Sequence, residues 1–135
     1  MKHRLETKRI VLYLVILGLA VFTLLSLYPR EPGDSSTYRD PEQLRQLVEE
    51  QSTPHLLLDV RTPAEYTSGH IPTARNLPLQ IIAENLPAAP RDSLIILYCR
   101  SGNRSAQAKR ILENEGYTNI VDFGGINRWP WELSH

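Results

Sequence analysis

Leu94-Ile95-Ile96-Leu97-Tyr98-Cys99-Arg100-Ser101-Gly102-Asn103-Arg104-Ser105 contains the only cysteine of this 135-residue chain, and its reading decides the fold. Leu94 to Tyr98 is a continuous apolar run of strand length, the pattern of a strand covered on both faces. From Ser105 to Glu115 the residues are good helix formers. Ala108, Ile111, Leu112 and Glu115 fall at three- and four-residue spacings, and Gly116 is placed to end the helix. The stretch therefore predicts strand, cysteine loop, helix. In such a unit the loop N–H groups and the positive helix N-terminus converge on one point and favour an anion there. A thiol at that point ionises easily: beside a helix start and cationic side chains its pKa falls from about 8.5 to between roughly 3.5 and 7.5. A buried structural cysteine is the bland alternative. It would want apolar neighbours, whereas Cys99 has Arg100, Gly102 and Arg104.

On these residues the chain resembles the rhodanese family of sulfurtransferases, whose active-site loop opens with a persulfide-forming cysteine and closes with an arginine. Cys99, followed by Arg-Ser-Gly-x-Arg-Ser, is a loop of that type. The resemblance implies Cys99 as the catalytic residue, and Arg100, Ser101, Gly102, Asn103, Arg104 and Ser105 as the residues around the bound sulfur. Cysteine phosphatases, some of the same fold, place five residues between cysteine and arginine to cradle a phosphate. Four separate Cys99 from Arg104, which predicts a tighter cradle suited to one sulfane sulfur.

Outward from the loop, two further segments are similar to the family. One is Asp59-Val60-Arg61, with Glu65, Gly69-His70-Ile71-Pro72 and Asn76; the other is Gly124-Gly125, read as a turn, with Trp129 after it. Asp59, Glu65 and His70 read as structural, since a thiol made acidic by its loop needs no separate base. Trp129 reads as packed on the sheet, with a lid over the site as the alternative. The family usually has glycine where this chain has Thr73; if that position requires positive φ, threonine is strained there.

The other elements follow from local signals. Asp40-Pro41-Glu42-Gln43 predicts a helix start, with Leu44, Leu47 and Val48 on its apolar stripe. His55–Val60 predicts a strand, Thr62-Pro63-Ala64-Glu65 a capping box, Ala74–Leu77 a short strand, Leu79–Leu86 a helix, and Asn119–Phe123 the last strand. Strands alternating with helices imply an α/β fold: a small parallel sheet with helices on both faces, ligands binding beyond the carboxyl ends of the strands. The 98 residues from Tyr38 to His135 suffice for one small core.

Ahead of this domain, Ile10 to Leu27 run without a charge. As a helix they would measure roughly 27 Å, close to the ~30 Å hydrocarbon core of a bilayer. The expected organisation is a basic cytoplasmic tail (1–9), one transmembrane helix (10–28), a Pro/Gly/Ser linker (29–37) and the rhodanese-like domain (38–135). Lys2, Arg4, Lys8 and Arg9 before the run keep the N-terminus cytoplasmic and place the domain on the extracytoplasmic side, periplasmic if the source is bacterial. A cleaved signal peptide is the alternative, but no small-x-small site follows the run. Either reading exports the domain, and an unpaired cysteine in an oxidising compartment suggests a reactive thiol.

Fifteen basic and fifteen acidic residues are dispersed along the chain, which gives no nucleic-acid surface, and the ligand clusters of a zinc site are missing. No cofactor is implied. The expectation is a sulfurtransferase taking sulfur from a thiosulfate-like or protein donor to a thiophilic acceptor, with a persulfide carrier or docking module as the alternative.

Overall fold

The computed structural model describes residues 11, 13–20 and 34–135. The chain divides into two compact units, Met1–Gly33 and Asp34–His135. In the first, residues 11 and 13–20 are helical and exposed. Among the described residues no helix is long and apolar enough to cross a membrane. The rest of the apolar run, and the basic tail before it, lie outside the described residues.

The second unit begins with a 3-10 turn, Ser35–Arg39, whose cap Asp34 accepts a hydrogen bond from the Ser36 backbone N–H. Residues expected to be linker thus already belong to the folded unit. Helix α1 (Pro41–Glu50) follows, with the Asp40 carboxylate accepting from the Glu42 and Gln43 N–H groups at 3.1 Å each. Those are two of the donors a helix start leaves unpaired. Its stripe of Leu44, Leu47 and Val48 is buried, each side chain contributing about 1.5–3 kcal/mol of hydrophobic stabilisation.

Strands β1 (His55–Asp59), β2 (Arg75–Asn76), β3 (Leu94–Cys99) and β4 (Ile120–Gly125) form one parallel sheet in the order β2-β1-β3-β4. Helix α2 (Pro63–Thr67) lies between β1 and β2, and α3 (Asn103–Asn114) between β3 and β4. Every residue of β3 is buried. Its alternation divides the core: Leu94, Ile96 and Tyr98 pack with α1, while Ile95, Leu97 and Cys99 pack with Ala108 and Leu112 of α3. Strand β4 lies against the Ser35–Arg39 turn, and Arg128 ties the two together by donating to the carbonyls of Phe123 and Arg39.

Three local expectations are corrected. Leu79–Leu86 is a series of turns, not a helix. The segment lies between Pro78 and Pro87, and the Leu77 and Leu79 N–H groups remain bonded to the Asp59 and Val60 carbonyls, which holds the chain extended up to its first residue. Helix α3 starts at Asn103, two residues before Ser105, so the cysteine loop is shorter than expected. Gly124 and Gly125 end β4 and pair with Tyr98 and Cys99, after a bulge that shifts the register between Leu97 and Tyr98.

Thr73 does adopt a positive φ, +69°. Trp129 is buried in the α1-side cluster, across the sheet from Cys99; it is a packing residue and not a lid.

Candidate active site

Cys99 is the last residue of β3, and its chain leaves the sheet at the carboxyl end. Three residues, Arg100 to Gly102, turn it back into α3. Gly102 makes that turn in the left-handed region, φ +100°, which favours glycine, and serves as the N-cap of α3. The turn brings the Gly102 N–H to 3.0 Å from the Cys99 sulfur.

Although burial pushes the thiol pKa up, the N–H groups of Ser105, Gly102 and Ser101, helped by the Ser105 hydroxyl, outweigh it and hold Cys99 below its ordinary value. These donors stabilise the charged form, and they lie at the start of a twelve-residue helix. The residue itself is only 1% exposed.

The predicted site residues divide by role. Ser105 is fully buried, and its hydroxyl donates to the Gly102 carbonyl at 3.0 Å, with the Gly124 carbonyl at 3.4 Å. Arg104 turns to α2, where its guanidinium donates to both oxygens of Glu65 at 2.7 and 2.8 Å. Arg100, Ser101 and Asn103 are exposed. Asn103 accepts from the Gln107 side-chain amide through its carbonyl oxygens.

Glu65, read from the sequence as structural, is the partner that fastens the loop. The Thr62-Pro63-Ala64-Glu65 capping box forms, with the Thr62 hydroxyl bonded to the Glu65 N–H and the Glu65 carboxylate to the Thr62 N–H. The same carboxylate holds Arg104, 39 residues further on. Arg104, together with Thr62, lowers the Glu65 pKa to about 2 against the opposing effect of burial. The capping box was legible; nothing in its spacing announced the second partner.

On the far face of the sheet, Asp59 and Arg61 form a buried ion pair. The Arg61 guanidinium also donates to the Gly69 carbonyl at 2.7 Å. Tyr98 receives the Ile71 N–H on its hydroxyl, and burial pushes its pKa up. His70 stacks on Tyr66 at 3.8 Å, and its Nδ1 lies 3.1 Å from the Tyr66 carbonyl. These groups brace the segment from β1 to β2. No group of His, Cys, Asp and Glu among the described residues could hold a metal ion.

With this geometry in place, the model of the rhodanese-like domain matches residues 40–130. The chain belongs to the rhodanese family. Among its relatives, a sulfurtransferase of Allochromatium vinosum is 44% identical over 75 residues, 55% of this chain and 70% of the relative. The thiosulfate sulfurtransferase PspE of Escherichia coli is 38% identical over 71 residues, 51% of this chain and 68% of the relative. The rhodanese-like domain covers only 18% of a longer relative, the adenylyltransferase and sulfurtransferase MOCS3-2 of Zea mays. Of solved structures, SSP1007 from Staphylococcus saprophyticus superposes with a TM-score of 0.61 at 31% identity, covering 70% of this chain and 94% of that one. The human single-domain sulfurtransferase TSTD1 gives 0.57 at 25% identity, covering 65% and 89%.

Proposed function

We propose that this rhodanese is a sulfurtransferase that carries sulfur as a persulfide on Cys99. The observation that carries the reading is the convergence of the Ser101, Gly102 and Ser105 N–H groups on the Cys99 sulfur, in a three-residue turn at the carboxyl end of the sheet.

In the first step the Cys99 thiolate attacks the outer sulfur of a thiosulfate-like donor. A sulfur–sulfur bond forms, the donor's own sulfur–sulfur bond breaks, and its electron pair leaves with sulfite. The terminal sulfur of the persulfide is then the anion, and the same N–H groups are aimed where its charge develops, a preorganised stabilisation. In the second step an acceptor such as cyanide or a thiolate attacks that sulfur, the bond to Cys99 breaks, and the thiolate is regenerated. Covalent transfer in two steps implies ping-pong kinetics.

The loop arginines divide the work. Arg104 holds Glu65 and so fastens the loop to α2. Arg100, the exposed residue after Cys99, draws in the anionic donor.

The apolar run 10–28 serves as a membrane anchor, with the basic tail cytoplasmic and the domain on the other side. The uncharged length of the run and the basic residues before it support this reading.

The test is mass spectrometry of the full chain after exposure to thiosulfate. One sulfur gained on Cys99 and released by cyanide is the expected result, with no gain in Cys99→Ser. Loading from a protein donor alone would identify a carrier. Equal transfer by wild type and Cys99→Ser would remove the mechanism.

A further inference from the structure

We infer that Gly125 is a positioning residue for sulfur transfer: its lack of a side chain lets the cysteine loop lie against the end of β4, at the place where the loop N–H groups meet the sulfur. A Cβ built on Gly125 would stand 2.8 Å from the Arg100 carbonyl oxygen and 3.1 Å from the Ser101 Cα, and would also meet the Asn127 side-chain oxygen. Asn127 can turn its amide away. The other two atoms are backbone of the loop itself, so the loop must move. The register explains the closeness: Gly125 pairs with Cys99, so the residue facing the sulfur's strand position also faces the first two residues of the turn.

The need for glycine at 125 is not conformational. Its φ is −95° and ψ 145°, ordinary extended backbone that any residue adopts. Its neighbour is the converse case. Gly124 has φ +97°, which favours glycine, but a Cβ there would meet only the Arg128 side chain, at 3.6 and 3.7 Å, an ordinary contact. One position is therefore glycine for the sake of the loop and the next for the sake of its own backbone. Ser105 joins the two surfaces, with its hydroxyl within reach of both the Gly102 and Gly124 carbonyls.

This inference rests on the sulfurtransferase reading only for its kinetic half, because the thiol reports the loop's position without any turnover. The experiment compares Gly125→Ala with Gly116→Ala in the full chain, the second being a glycine of positive φ away from the cysteine loop. It measures thermal unfolding, the pH dependence of Cys99 alkylation by iodoacetamide, and sulfur transfer from thiosulfate to cyanide. Gly125→Ala is expected to move the alkylation midpoint up by about one pH unit as the amide donors retreat. It should lower transfer by on the order of tenfold to a hundredfold, the scale of a small misplacement.

Gly116→Ala, just past the far end of α3 with φ +90° and nothing within 4 Å of an added Cβ, is expected to lower Tm while leaving both the midpoint and the transfer rate of the folded protein at wild-type values. An unchanged midpoint in folded Gly125→Ala would overturn the inference, as would equal displacement of the midpoint in both variants. Should the midpoint rise in Gly125→Ala while the wild type transfers no sulfur, the positioning role stands and the sulfurtransferase reading falls.

Discussion

The carboxylate of Glu65 accepts from the Thr62 N–H at the start of α2 and from the Arg104 guanidinium across the loop, so replacing it loosens both. Glu65→Gln should cost about 1–2 kcal/mol in a urea titration, as this pair is partly exposed. Its acid behaviour carries a sign. The folded carboxyl titrates at about 2 against an ordinary 4.5, so its contribution is complete above 4.5 and is lost as pH falls toward 2. The glutamine variant should lack that component and show a flatter loss of stability across this window. Thr73 makes the opposite case. With φ +69° it stores strain that glycine would relieve, and Thr73→Gly should raise Tm by a few degrees, the effect of about 1 kcal/mol in a domain this size. That residue was legible as a departure from a pattern, and the physical consequence of the departure could be stated before its φ was known.

Among the elements, β3 and α3 were the plainest in the sequence because burial on both faces leaves an uninterrupted apolar run, and a helix leaves its stripe. Their junction was less plain. A helix boundary depends on where the backbone can turn, and Gly102 turned it earlier than the run of helix formers indicated. The stretch Leu79–Leu86 had apolar spacing without the backbone freedom to use it, since bonds to the β1 end held its entry extended. Cys99 shares its core cluster with Leu112, so the helix that presents the loop donors is anchored by that side chain. Leu112→Ala should cost about 2–5 kcal/mol through the cavity it leaves, read from chemical denaturation. Long-range partners such as Glu65 with Arg104, or Gly125 with the Arg100 carbonyl, leave no periodic trace in a sequence. They arise only when the sheet places its carboxyl ends together.

For the molecule as a whole, the lowered Cys99 pKa links folding to reactivity. The alkylation midpoint of the native protein should lie below that of an ordinary thiol and return upward in denaturant. Since the folded value is the depressed one, the thiolate's contribution to stability is complete above the ordinary thiol pKa and lost as pH falls through the native midpoint. The proposed anchor is tested at the same scale. The full chain should stay with membranes after an alkaline carbonate wash, and removal of residues 1–33 should release the domain; release of the full chain by the wash would count against the anchor.

The two borders of the sheet bear on life in a crowd. One border has the Ser35–Arg39 turn beside it, fastened through Arg128, and the other ends in a strand of two residues. Both features shorten the row of amides and carbonyls on which a neighbouring copy could build. Edge-to-edge addition of a second copy is thereby disfavoured at these two borders.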